Sequence, residues 1–241
     1  MADKAALIVG AGDAIGAAIL EKFAREGYAA VGVRRSPEKL GELIGRLTGE
    51  GLVAHAWQCD ARKEEDVQAT IARVESEVGA LEVVVFNVGA NVPMPLLSTE
   101  ANKFFKMWEM ACFAGFLTGR EAAKAMLPRG RGTIIFTGAT ASLRGAAGFG
   151  AFASAKHGLR ALAQSLAREV GPQGIHVAHV VIDAMVDTEW IRKTFLPLKK
   201  DRKEDDITRP ASIAAHYFAI HNQPRDAWTF ESDLRPWCEK W

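Results

Sequence analysis

The chain has 241 residues, 49% of them hydrophobic, which is enough to bury a core without disulfides or metals. Its 30 Lys and Arg nearly balance 29 Asp and Glu, so no strong field favours nucleic acid or an anionic membrane. Cys59, Cys112 and Cys238 are odd in number and widely spaced, which argues against a disulfide framework and against zinc-ligand spacing.

The apolar run at 5–9 is too short for a secretory leader, and no other run reaches membrane-spanning length. A reduced, cytoplasmic protein is expected. The run at 5–9 predicts the first strand. Gly10, Gly12 and Gly16 follow it and open a helix on which Ile15, Ile19 and Phe23 share one face. A second strand is expected at 29–33, then Ser36 as N-cap with Pro37 at the first helical position. A third strand, 53–58, leads to a helix with Glu64, Glu65 and Asp66 in its first turn. Further strands are expected at 83–87, 133–137, 176–182 and 228–234. Several of these runs are almost wholly apolar, as strands covered on both faces are. The alternation predicts an α/β fold, a single Rossmann-type doubly wound parallel sheet of about seven strands flanked by helices, in one domain over 1–241. The charge run at 199–206 reads as a solvated loop, or as part of a substrate lid around 188–210.

Glycines between a strand and a helix let the backbone approach a pyrophosphate, which the helix N-terminus then favours electrostatically. Arg34 and Arg35 end the second strand where an acidic residue would hold a ribose diol, which favours NADP(H) over NAD(H). Read alone, they also fit a solvated basic turn. Asp13 argues the other way, because it places a negative charge in the glycine turn.

The spaced residues Gly10-x-Gly12-x-x-x-Gly16, Cys59-Asp60, Asn87-Val88-Gly89 and Phe152-x-x-x-Lys156 resemble the classical short-chain dehydrogenase/reductase family over nearly the whole chain. The resemblance implies a nicotinamide dinucleotide held by Gly10, Gly12, Ile15 and Gly16 at the turn and by Asp60 and Ala61 at the adenine. It further implies that Asn87 and Gly89 line the cofactor, that Lys156 holds the nicotinamide ribose and that Thr188 meets the carboxamide. It also implies a homodimer or homotetramer paired through helices near 100–125 and 152–170. Taken singly, Asp60 and Thr188 fit helix N-caps before Glu64 and Trp190 equally well. Asp183-Ala184 departs from the family's usual proline-glycine.

The catalytic outline fails. Carbonyl reduction leaves an alkoxide that needs a proton donor. The family's Tyr position is Phe152, its Ser position Ala139 and its Asn position Ala111; Lys156 alone remains. The only tyrosines are Tyr28 and Tyr217, and Phe149 stands where a related branch has its phenol. Of the hydroxyls Thr137, Thr140, Ser142 and Ser154, Thr140 is the best substrate ligand, although it also fits a loop-capping role. Asp183 and Asp187 are candidate acids if burial raises them, or else carboxylates making turn hydrogen bonds. His157 reads as surface or interface. Met107, Trp108, Met110, Phe113 and Phe116 read as core or helix–helix interface, or as a pocket wall. Trp190 and the region of Phe195 are expected at the pocket mouth, and 228–241 as an edge strand covered by a partner. Two functions stay open. One is an oxidoreductase with altered acid chemistry, acting on a small carbonyl, imine or otherwise activated substrate. The other is a non-catalytic dinucleotide-binding protein or regulatory subunit.

Overall fold

Parallel strands need both faces covered, and the apolar runs of this chain supply that in alternation with helices. A computed structural model of the chain describes residues 3–89, 91–194 and 204–239. The strands are β1 (Ala5–Val9), β2 (Ala29–Arg34), β3 (Ala54–Gln58), β4 (Leu81–Phe86), β5 (Gly132–Thr137), β6 (Ile175–Ile182) and β7 (Glu231–Leu234). Between them run α1 (Ile15–Arg25), α2 (Gly41–Gly49), α3 (Glu64–Arg73), α4 (Ala101–Trp108), α5 (Ala114–Met126), α6 (Gly150–Val170), α7 (Glu189–Thr194) and α8 (Pro210–His221). All seven strands are parallel in the order β3-β2-β1-β4-β5-β6-β7. The order reverses between β1 and β4, which opens a crevice above their C-terminal ends.

Successive strand residues face opposite layers. Leu7, Val31, Val84 and Ile134 pack against Ile71, Leu117 and Leu159 on one side. Ile8, Val85, Ile135 and Val180 pack against Ile19, Phe23 and Tyr217 on the other. The β1–α1 turn is fixed from both ends. Gly10 takes φ +82° and the Asn87 side chain donates to its carbonyl at 3.0 Å. A Cβ on Gly16 would stand 2.6 Å from the Ala11 Cα, so only glycine lets α1 start this close to the strand.

Three elements differ from expectation. The segment after Ser36 begins as a 3₁₀ turn, Pro37–Leu40, before α2, and the Ser36 side chain makes no cap bond. β7 starts at Glu231, because the preceding residues are occupied elsewhere. Trp228 stacks on His176 with centroids 4.8 Å apart, and Thr229 exchanges hydrogen bonds with the Gln223 amide at 2.7 and 2.8 Å. Between α4 and α5 lies a π turn, Glu109–Phe113, that no sequence signal announced. Residues 195–203, which include Phe195 and most of the charge run in the expected lid, lie outside the described residues, as do Ala90 and Trp241.

Candidate functional site

The crevice holds two contiguous cavities that share Gly12, Asn87, Val88 and Gly89. The smaller, about 400 Å³, runs over the ends of β2 and β3 and is walled by Gly10, Arg34, Arg35, Lys39, Asp60 and Ala61. The larger, about 650 Å³, is walled by Ile15, Gly16, Ala139, Thr140, Phe152, Lys156 and Thr188. The residues expected at a dinucleotide site therefore meet in one continuous surface. A Cβ on Gly12 or Gly89 would meet nothing within 4 Å, so the backbone at both faces open space.

On the smaller side, Asp60 does not cap α3. It is bound by Arg62 through Nε at 2.9 Å and Nη2 at 2.5 Å. The Arg62 bond holds its carboxyl below the usual range, burial opposes this, and Arg35 adds a smaller lowering. Arg34 Nη1 donates to Asp13 Oδ1 at 2.5 Å and to the Ala11 carbonyl at 3.3 Å. Arg35 is exposed.

On the larger side, Lys156 comes from α6 and is 3% exposed. Its Nζ donates to the carbonyls of Thr137 at 2.8 Å and Val88 at 3.2 Å. Desolvation pushes its pKa down to about 8, against a small opposing effect of Cys112. Thr188 does cap α7: its Oγ1 accepts the Ile191 amide at 3.1 Å while the residue also walls the cavity.

No phenol stands beside Lys156. The Phe152 ring is buried with Met107, Ala139 and Ala141, its centroid 5.8 Å from Nζ. Ala111 is buried in the π turn with Cys112 and Ala155. Such turns often mark functional sites, yet here the inward side chain is a methyl. The two tyrosines are engaged elsewhere. Tyr28 bonds His221 Nε2 at 2.7 Å. Tyr217 is fully buried and donates to Thr137 Oγ1 at 2.9 Å, and burial raises its pKa. Ser154 donates back to the Ala151 carbonyl at 2.9 Å, and His157 is exposed.

Two expected local roles are corrected. The Thr140 hydroxyl caps no loop but donates to the buried Asp183 carboxylate, 43 residues away. Asp183 likewise makes no turn hydrogen bond with its side chain; Arg144 and Arg235 flank it at 3.8 and 3.9 Å. Asp187 is chelated by Arg192 at 2.5 and 2.6 Å, which holds its carboxyl low. Trp190 does not close the cavity. It is 62% exposed and lines a neighbouring open groove with Asp13 and Glu21. Thr188 lines both that groove and the larger cavity, whereas Trp190 lines only the groove. Along the aromatic stripe Met107 is buried, Trp108 and Phe113 half-buried, and Phe116 exposed. Sequence reasoning missed Arg144, which walls the larger cavity, and a buried set behind Gly138. There His179 is fully buried and shares Nδ1 with Glu231 at 2.9 Å, while Arg160 holds Glu231 through two bonds of 2.6 Å. The available signal was a pair of histidines, His176 and His179, inside the otherwise apolar β6.

The family model for short chain dehydrogenase matches residues 4–197. A 3-oxoacyl-(acyl-carrier-protein) reductase of Mus musculus is 31% identical over 190 residues, covering 79% of this chain and 78% of its own. Short chain aldehyde dehydrogenase 1 of Euphorbia lathyris is 30% identical over 72% of this chain, which spans only 61% of that protein. Among solved structures, a short-chain dehydrogenase from Rhodopseudomonas palustris is 46% identical, with a TM-score of 0.84 over 97% of this chain and 99% of its own. An actinorhodin polyketide ketoreductase with NADPH shares the fold at 22% identity, with a TM-score of 0.86 over 98% of both chains. The chain belongs to the short-chain dehydrogenase family.

Proposed function

We propose that this protein binds NADP(H) in the crevice and passes hydride to or from an activated substrate, such as an imine or a conjugated carbonyl, rather than a simple ketone. Open space before Gly12 fits a pyrophosphate, Arg34 and Arg35 fit a 2′-phosphate, and Lys156 fits the nicotinamide ribose. When bound, the nicotinamide supplies the hydride. The chain's own residues fix its position and shape an apolar wall of Phe149, Phe152 and Ala139 around the substrate. That wall is the observation that carries the reading: no phenol or serine hydroxyl stands beside Lys156. Hydride addition to an iminium carbon gives a neutral amine and needs no donor, and addition to a conjugated carbonyl leaves a delocalised enolate that solvent water can protonate. Addition to a ketone leaves an alkoxide that does. A cytoplasmic homodimer or homotetramer belongs to the same reading, supported by exposed Phe105 and Phe116 on α4 and α5.

NADPH oxidation with matched ketones, imines and enones tests this, beside a binding titration. Turnover confined to the imines or enones is expected. Binding without turnover of any acceptor favours the non-catalytic reading, which the Thr140 hydroxyl supports by being committed to Asp183. For the cofactor, equal or tighter NADH binding overturns the NADP(H) preference, and Arg34→Asp is expected to reverse it.

A further inference from the structure

Asp13 is the one acidic residue in the turn from Gly10 to Gly16, and neither the fold nor the proposed chemistry requires it. Its carboxylate is 72% exposed, whereas its partner Arg34 is only 19% exposed. The guanidinium is pinned, because the same Nη1 also reaches the Ala11 carbonyl. Four cationic side chains wall the smaller cavity: Arg34, Arg35 and Lys39 beside Ser36, and Arg62, which is held by Asp60. A phosphate entering beside Ser36 meets Arg34 already paired with Asp13. Two anions seeking one guanidinium repel each other, and the mobile one yields.

We propose that Asp13 competes with the cofactor's 2′-phosphate for Arg34 and so narrows the preference for the phosphorylated over the unphosphorylated dinucleotide. The proposal rests on the dinucleotide reading above. Arg35 engages the phosphate first, and Arg34 joins once Asp13 turns out to solvent. An unphosphorylated cofactor has no anion at that point and leaves the pair closed.

NADPH and NADH are titrated by protein fluorescence against the natural protein, D13N, R34Q and the double variant, with D13E as the charge-preserving control and thermal melts to confirm folding. D13N is expected to tighten NADPH about two- to fivefold, on the scale of one exposed ion pair, and to leave NADH nearly unmoved. The gain should vanish in the R34Q background, and D13E should keep the natural ratio. An unchanged NADPH-to-NADH ratio in D13N overturns the proposal. So does a loss of NADH affinity, which would make Asp13 an acceptor for the ribose hydroxyl. A natural protein that binds neither cofactor removes the dinucleotide reading itself, whereas binding of both with an insensitive ratio removes only the role of Asp13.

Discussion

Restoring the missing acid is the most direct perturbation of this site. In Phe152→Tyr with Ala139→Ser, the introduced phenol projects from a ring whose centroid lies 5.8 Å from Lys156 Nζ. At that separation a unit charge acting through an effective dielectric near 20 favours the ionised phenol by about 3 kcal/mol, or about two pH units. That opposes the rise which burial imposes on a phenol and moves it toward the range of useful acid catalysis at neutral pH. The introduced serine faces the same cavity from the Ala139 position. A placed general acid is worth about 10²–10⁴ in rate and an added oxyanion donor about 10²–10³. Reduction of simple ketones should therefore rise by at least about two orders of magnitude in the double variant. The assay is steady-state NADPH oxidation over a ketone panel, with cofactor titration and a thermal melt showing that the variant is folded and loaded. Ketone turnover by the natural protein near about 10 s⁻¹ would refute the reasoning, because a donor would then already exist. Asp183 and Thr140 would be the first residues to test.

Gly12→Val should abolish dinucleotide binding while leaving the melting temperature nearly unchanged, since its side chain enters open crevice rather than protein. Gly138→Ala should instead destabilise the fold by about 1–3 kcal/mol in urea melts, because the new methyl would lie 2.5 Å from His179 Nε2. Glu231 holds that imidazole through Nδ1, so it cannot easily retreat. Lys156 should leave a pH signature in stability. Its folded pKa of about 8 lies below the ordinary 10.5, so between these values the unfolded chain binds more protons and stability rises with pH. The rise should approach about 3 kcal/mol and be absent from Lys156→Met when both are melted in urea across that window.

Much of the sheet is legible because β1, β2, β4, β5 and β6 are apolar on both faces, which only a covered parallel sheet satisfies. The glycine turn is legible for a steric reason, the close approach at Gly16. What escaped the sequence is partner choice. Asp60 could cap a helix, but Arg62 lies two residues away and offers a two-pronged ion pair. Thr140 could cap its own loop, yet the fold brings up Asp183 from the end of β6. Periodicity cannot distinguish such outcomes, because each depends on a residue distant in sequence or on a rotamer. The π turn escaped for a similar reason: no residue type marks it, and only the folded chain brings Ala111 and Cys112 together with Ala155 there.

The residues that kept the family outline and those that lost it differ in what else they hold. Asn87 donates to the Gly10 carbonyl and so ties the end of β4 to the glycine turn. Lys156 ties the Val88 and Thr137 carbonyls, joining the ends of β4 and β5 to α6. Both brace the crevice whatever chemistry occurs in it. Their presence therefore supports a preserved cofactor scaffold and is neutral about turnover. Phe152, Ala139 and Ala111 carry no side-chain hydrogen bond, so a tyrosine, serine or asparagine there would have served reaction chemistry first. For this reason a loss of activity in a Lys156 variant would mix scaffold with chemistry. Restoration at Phe152 and Ala139 changes the chemistry and leaves both braces in place.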